Sequence, residues 1–235
     1  MPILTNKYWF ATFYFLLVLV SPILDRIICL MEKNEYLIIL GILMMIFSVI
    51  PSVNIFGDPF GTEYGYSFIW FVVLYLIAGY IRRYNMKKSK CRYAFIYGIG
   101  VLIIVLFKTI CASRSGLLSI LINLFISHYN SPLVIAMSVS VFIMALSVKV
   151  SITGTVRKVV SYCSGLSFGV YLFHEHPCIR NIIWNGNSAL NNRNIGIKMF
   201  SSVVMIYIMG LGIEFIRNKT MIGIRIITKR MRSLK

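Results

Sequence analysis

Long apolar runs separated by short polar segments dominate this chain of 235 residues. A transmembrane helix needs about 20 mostly apolar residues. Six runs are predicted to span a membrane: 9–30, 36–53, 66–81, 93–112, 131–148 and 197–216. A seventh run, 159–174, is uncharged but contains several serines, and we interpret it as a short or tilted span. The run 117–127 is too short to cross and is predicted to be an interfacial or re-entrant helix.

The basic residues between these runs set the predicted orientation. With seven spans, the basic segments 82–92, 149–158 and 217–235 fall on one side, together with Arg26 and Lys33. Short cytoplasmic loops are the ones enriched in Lys and Arg. The sequence therefore predicts an all-α, polytopic transmembrane helix bundle of about seven spans, with its N-terminus outside and its C-terminus inside.

The C-terminal end of the chain differs in character from the rest. Residues 1–217 are interpreted as the membrane domain. Residues 218–235 are predicted to be a basic amphipathic tail that lies on the inner leaflet.

The composition supports a membrane protein and favours membrane lipids over nucleic acid as partners. The chain is 58% hydrophobic and only 13% charged, and its mean hydropathy is +0.81. A soluble domain of this length could not bury so much apolar surface. The net charge of +17 lies in loops between spans, so membrane lipids rather than nucleic acid are the expected partners. The five cysteines show no C-x-x-C spacing, and no metal site is expected.

The densest group of titratable residues follows the seventh run. His174, Glu175 and His176 stand at its predicted outer end, with Arg180 and Trp184 beyond. Histidine is the usual general base near neutral pH, and a neighbouring carboxylate raises its basicity. The pattern favours catalytic roles for His174, His176 and Glu175, and substrate binding by Arg180 and Trp184. The alternative is an interfacial cap of polar and aromatic side chains at the headgroup level.

Two further candidates lie in the predicted outer loop 113–130. The forked donors of Arg114 suit an anionic ligand, and His128 is a candidate substrate-binding residue. The alternatives are a cation at the headgroup level and a hydrogen-bonded loop histidine. Aromatic residues at 8–15 and 64–71 indicate either an interfacial belt or a carbohydrate-binding surface.

The inner loop 82–92 carries six basic residues, which are Arg82, Arg83, Lys87, Lys88, Lys90 and Arg92. It could attract anionic lipid or an anionic cofactor such as coenzyme A. The alternative is that these residues only fix the topology.

One segment resembles a known family. Residues 165–184, GLSFGVYLFHEHPCIRNIIW, look like the "lsfGiYLiHehp…r…lW" segment near the C-terminus of the acyltransferase 3 family. The segment Tyr8–Trp9–Phe10 before a span that ends in Ser21–Pro22, and a span that ends in IAGYIRRY, are also similar to family segments. The closest resemblance is to acyltransferases of capsules and exopolysaccharides.

The resemblance implies a fold and an activity. The fold would be a bundle of about ten transmembrane helices in the bacterial plasma membrane. The activity would be transfer of an acyl group, usually acetyl, from cytoplasmic acetyl-CoA without a metal. The acceptor would be a hydroxyl of an exported or envelope polysaccharide or of a lipid-linked glycan.

One family element has no counterpart in this sequence. The family places Arg or Lys eleven residues before a catalytic His, whereas Leu117, Cys163 and Gly165 occupy the positions eleven residues before the three histidines. An R-x-x-R pattern is also absent. We expect the chain to be the C-terminal two-thirds of a family member, inactive unless a partner chain supplies the missing spans.

Three other classes are weighed against this interpretation. A non-enzymatic membrane remnant or assembly partner is the principal alternative. A glycan polymerase or flippase-type protein is disfavoured because the outer loops are short. A transporter is disfavoured because Asp25 and Glu214 lie near the inner edge rather than at the middle of the bilayer.

Overall fold

A computed structural model describes residues 8–54, 57–84, 90–112, 116, 120, 125–126, 128–147, 154–181 and 195–232. These residues fall into two compact units, Trp9–Val150 and Ser151–Lys235, and Tyr8 belongs to the second. The predicted helix at 117–127 lies almost entirely outside the described residues.

Helices form nearly all of the first unit. They are α1 (Trp9–Leu30), α2 (Lys33–Met44), α3 (Ile50–Val53), α4 (Phe68–Arg83), α5 (Lys90–Ala112) and α6 (Pro132–Ser147). A π-helical segment, Met45–Val49, joins α2 to α3, and a 3-10 turn, Glu63–Gly65, precedes α4. Side chains fix two of the helix starts: Glu32 and Glu35 form a reciprocal capping box on α2, and Ser67 accepts from the backbone N–H of Trp70.

The second unit consists of α7 (Gly154–His174), a helical turn over 177–181, and α8 (Ile195–Arg232). Helices α7 and α8 meet through small residues. A Cβ atom added to Gly210 would lie 3.2 Å from the Cα of Val170, and one added to Gly169 would collide with the carboxyl group of Glu214. Glycine therefore lets the two backbones approach closely, as in other membrane helix pairs. The helix α8 continues unbroken past residue 218, where the sequence predicts the tail to begin.

The core of the first unit joins helices that are distant in sequence. The buried Tyr36 hydroxyl donates to the carbonyl of Leu76 on α4 at 2.7 Å. Ile28 of α1 and Leu40 of α2 pack in the same cluster. In a second cluster, Trp70, Val73 and Ile135 are each almost fully buried and pack α4 against α6.

Two prolines inside helices leave carbonyl groups without a backbone donor, and side chains supply the missing hydrogen bonds. Pro51 has no N–H, so the Phe47 carbonyl four residues earlier lacks its normal helical partner. The Asn130 side-chain amide donates to that carbonyl at 2.9 Å. In α1, Pro22 deprives the Val18 carbonyl in the same way, and the Ser21 hydroxyl donates to it at 2.9 Å.

The same Asn130 amide orders the loop before α4. It also donates to the Thr62 hydroxyl oxygen at 3.0 Å, and the Thr62 hydroxyl donates to the Asp58 carboxylate at 2.6 Å. Asp58 accepts from the backbone N–H groups of Phe60 and Tyr64 as well. One buried side chain thus connects the α2–α3 junction, the loop 57–67 and the start of α6.

The structure confirms the prediction of a helical protein with membrane-spanning segments. Among the described residues, four helices are long and apolar enough to cross a membrane: Trp9–Leu30, Lys33–Val53, Lys90–Thr109 and Phe200–Met221. They expose large apolar side chains, such as Phe200 at 73%. Such surfaces are stable against lipid rather than water.

The other three predicted spans are helices, but they are either too short or too charged to be counted as spans in the same way. Helices α4 and α6 have only 16 residues each. Helix α7 has 21 residues but begins at Gly154, earlier than the predicted span, and so includes Arg157 and Lys158. Seven crossings and their orientation stay predictions.

We predict that replacing Asn130 by Leu lowers the free energy of unfolding by about 2–3 kcal/mol, because the Phe47 carbonyl and the Thr62 hydroxyl lose a buried donor. In a Pro51→Ala background the loss should be smaller, since residue 51 then has an N–H for the Phe47 carbonyl. Unfolding in mixed micelles measures all four members of this double-mutant cycle. Strictly additive losses would show that Pro51 and Asn130 are not coupled.

Candidate functional site

The second unit brings three of the predicted site residues together. The Glu175 carboxylate lies between two nitrogen-bearing side chains: Oε1 is 3.5 Å from Nε2 of His174, and Oε2 is 3.5 Å from the Arg180 guanidinium. The Glu175 side chain is 20% exposed and that of His174 is 40% exposed. Nδ1 of His174 lies 3.1 Å from the Val170 carbonyl. Donation from Nδ1 to this carbonyl leaves Nε2 as the basic nitrogen.

Local sequence explains why these residues meet. Helix α7 ends at His174, three residues before Pro177, because a proline disfavours the helical conformation of the residue before it. Pro177 then begins the next helical turn, where its missing N–H costs nothing. The backbone N–H of Arg180 donates to the His176 carbonyl at 2.8 Å. This tight reversal brings Arg180 back to Glu175.

His176 lies apart from this cluster. Its side chain is exposed, and it makes no hydrogen bond or ion pair within the part of the chain that the structure describes. Its catalytic role stays a prediction. Across the described ranges, no three His, Cys, Asp or Glu side chains are placed to hold a metal ion.

The remaining predicted site residues are distributed differently. Trp184 and Arg114 lie outside the described residues. His128 belongs to the first unit, in the loop before α6. Its ring stacks on Tyr64 at a centroid distance of 4.1 Å and an interplanar angle of 22°.

The backbone that presents Tyr64 is strained. Glu63 and Tyr64 have φ values of +48° and +55°, in the left-handed region that non-glycine residues rarely adopt. Gly65 follows with φ +102°, and a Cβ atom there would lie 2.6 Å from Cβ of Tyr129. The hydrogen bonds of Asp58 hold this conformation. Such strain is often found at functional sites.

Further aromatic rings adjoin the stacked pair in sequence. The Tyr66 ring contacts Trp9 at 4.6 Å and Tyr129 at 4.9 Å between centroids. Tyr129 is 55% exposed. We call Trp9, Tyr64, Tyr66, His128 and Tyr129 the aromatic cluster. Burial lowers the pKa of His128, and the nearby Asp58 carboxylate opposes this effect. The His128 imidazole is therefore kept neutral near pH 7.

The first unit also contains a cavity of about 760 Å³ at the opposite end of its helices. The Tyr75 hydroxyl donates to the Asp25 carboxylate at 2.7 Å at this cavity. Arg82 lines it as well, and the Arg83 guanidinium donates to the Ile28 carbonyl. The rest of the lining is mostly apolar and includes Gly79, Ala78, Ile81, Phe142, Ile143 and Leu146. The cavity thus combines an apolar floor with cationic side chains at its rim.

The sequence pattern does not predict this cavity. It places Asp25 near a span end and indicates no role for Tyr75. The available signal was a carboxylate in the last turns of an apolar span, which requires a partner. That partner lies 50 positions away in the chain, so spacing could not reveal it.

The apolar helices, with titratable pairs at their ends, are typical of a membrane-embedded enzyme. A comparison with protein families identifies which one. The model of the acyltransferase domain matches residues 2–216, and the chain therefore belongs to the acyltransferase 3 family. The protein is accordingly of the general class of membrane acyltransferases. No curated protein and no solved structure matches the chain significantly.

The lowered pKa of His128 gives a pH prediction. The unfolded state, with a histidine pKa of about 6.5, takes up the proton before the folded state does. The stability due to neutral His128 is therefore complete above about pH 6.5 and is lost as the pH falls below that value. His128→Phe keeps the stack on Tyr64 and should remove part of this acid destabilisation. Thermal unfolding in detergent between about pH 5 and pH 8 tests this expectation.

His176→Phe is the matched control for that measurement, because His176 is exposed. It should leave the pH dependence of the melting temperature unchanged. An identical pH profile for His128→Phe and the unaltered chain would contradict the prediction.

Proposed function

We propose that this protein is an O-acetyltransferase that moves an acetyl group from cytoplasmic acetyl-CoA to a hydroxyl of an exported polysaccharide or lipid-linked glycan. The observation that carries the proposal is the Glu175 carboxylate between His174 and Arg180. Membership of the family supplies the reaction class. The location would be the bacterial plasma membrane, and the acceptor a component of the cell envelope.

The proposed topology has seven crossings, with the N-terminus outside and the C-terminus inside. The distribution of basic residues supports it, because the segments 82–92, 149–158 and 217–235 then share the cytoplasmic side. In this orientation the residues around His174 face the exterior. The cavity at Asp25 and Arg82 opens toward the cytoplasm.

In the proposed reaction His174 acts as the general base. The acetyl group first passes from the thioester to a nucleophilic group of the enzyme, whose proton goes to the departing thiolate as the C–S bond breaks. On the exterior side Nε2 then takes the proton from the acceptor hydroxyl while the hydroxyl oxygen attacks the acyl carbonyl. The new C–O bond forms, and the enzyme group leaves and takes back the proton from Nε2. Glu175 stabilises the imidazolium formed in this step. Arg180 is placed to hold Glu175 and to bind negative charge that develops on the substrate.

The cavity of the first unit suits the donor. Arg82 and Arg83 offer positive charge to the phosphates of coenzyme A, and the apolar lining suits an acyl group. The hydrogen-bonded Asp25 and Tyr75 side chains line the same cavity.

The aromatic cluster suits a carbohydrate bound on the first unit by itself. Sugar rings pack against aromatic faces, and Tyr129 presents an exposed ring. A neutral His128 offers a donor and an acceptor to sugar hydroxyls.

We predict that His174→Gln lowers acetyl transfer about a hundredfold or more, which is the usual contribution of a general base. Glu175→Gln should cause a smaller loss, because the base remains but its cation is less stabilised. The measurement is transfer of radiolabelled acetyl from acetyl-CoA to glycan in membranes of a host without its own glycan acetylation. The variants are compared only in membranes in which the unaltered chain transfers acetyl at a measurable rate.

Cys178→Ser is the matched control, since Cys178 is exposed in the same turn. It should leave acetyl transfer unchanged at equal protein level. His176→Asn shows which histidine is the base. A loss in His176→Asn with none in His174→Gln would contradict the assignment of the base. Full activity in both variants would contradict a catalytic role for this cluster.

A further inference from the structure

A second open cavity lies between the two helices of the second unit. It has a volume of about 760 Å³ and is lined by Gly154, Arg157, Lys158, Ser161, Tyr162, Gly165, Leu166 and Asn218. Helix α7 supplies most of the lining, and α8 contributes Asn218. We call this cavity the α7–α8 groove. The acid–base cluster at His174 contributes nothing to it.

The groove carries uncompensated positive charge. Arg157 and Lys158 are exposed, and neither has a carboxylate partner among the described residues. The carboxylate of α8 nearest in sequence to Asn218 is Glu214, and Arg217 pairs with it, with Nε 2.8 Å from Oε2. Two cations therefore remain for an external anion. The hydroxyl of Ser161 and the amide of Asn218 add hydrogen-bonding groups.

The position of the groove along α7 places it at a membrane surface. Arg157 and His174 lie near opposite ends of this helix, about 25 Å apart at the rise of an α-helix. The hydrocarbon core of a bilayer is about 30 Å thick. The groove therefore lies at the headgroup level of one leaflet when the His174 end lies at the other. The groove lies at a headgroup level in either orientation of α7 across the membrane.

Apolar side chains extend from the groove toward the middle of the helix. Val159, Val160 and Tyr162 are 54%, 50% and 44% exposed. On α8, Phe215 is 44% exposed and contacts the Tyr162 ring at 6.2 Å. A molecule held by Arg157 and Lys158 would find an apolar surface directly beside it.

We propose that the α7–α8 groove binds the phosphate headgroup of an anionic phospholipid, whose acyl chains lie along the exposed apolar side chains of α7 and α8. Basic pockets between membrane helices are suited to such headgroups. Arg157 supplies a forked donor pair for the phosphate oxygens, and Lys158 supplies a second charge. The proposal concerns lipid binding and does not depend on acetyl transfer.

The test is native mass spectrometry of the full chain purified in detergent, titrated with phosphatidylglycerol or with phosphatidylcholine. We expect phosphatidylglycerol to bind at least about tenfold more tightly. The double variant Arg157→Gln, Lys158→Gln should lose this preference. Ser161→Leu fills the groove and keeps both charges, and it should also weaken phosphatidylglycerol binding. Each variant is compared only after it elutes as a monodisperse protein.

Arg26→Gln combined with Lys33→Gln is the matched control, because it removes two exposed charges from the first unit. This control should retain the preference for phosphatidylglycerol. An equal loss in the control would overturn the proposal in favour of diffuse charge attraction. Undiminished binding to Ser161→Leu would overturn the location of the site. Displacement of the lipid by inorganic phosphate or by coenzyme A would overturn the lipid in favour of a soluble phosphate ligand.

Discussion

A helix within a bilayer must satisfy its backbone polar groups inside the protein, because no water is present to do so. This chain meets that constraint even where proline removes a donor. Asn130 donates to the Phe47 carbonyl that Pro51 leaves without a partner, and Ser21 does the same for Val18 before Pro22. The consequence at Asn130 extends further. The same amide fixes Thr62, and through Asp58 it fixes the loop that presents Tyr64 to His128.

The same constraint explains where the chemistry lies. The described helices contain long apolar stretches, and the titratable pairs stand near the ends of these stretches. Asp25 accepts from Tyr75, Glu175 lies between His174 and Arg180, and Glu214 pairs with Arg217. A membrane enzyme that uses a water-soluble donor and a water-exposed acceptor needs its reactive groups at such ends. The arrangement thus agrees with the acyltransferase class that the family match defines.

Local patterns in the sequence predicted much of the fold. The span predicted at 9–30 coincides with α1, and the predicted end at residue 174 is the end of α7. Glu214 pairs with Arg217 because the two residues lie one helix turn apart. These features depend only on neighbouring residues, so they can be predicted from one sequence.

Partners that are distant in the chain could not be predicted in this way. Asn130 and Phe47 are 83 positions apart, and Asp25 and Tyr75 are 50 positions apart. Hydropathy shows that each residue lies near a span end, but it does not show which ends meet. For the same reason the cavity at Asp25 and the α7–α8 groove emerged only from the packed helices. The site at Glu175 was predictable because His174 and Arg180 lie within one helical turn and its reversal.

We propose that the cavity at Asp25 opens to the cytoplasm and that the residues around His174 face the exterior. Two native cysteines mark these places: Cys29 lines the cavity at Asp25, and Cys178 is exposed beside His176. The decisive measurement is labelling, with a membrane-impermeant maleimide, of variants in which either Cys29 or Cys178 is the only cysteine. The account predicts labelling of Cys178 in intact cells and of Cys29 only after permeabilisation. Labelling of Cys29 in intact cells, or protection of Cys178 until permeabilisation, would contradict it.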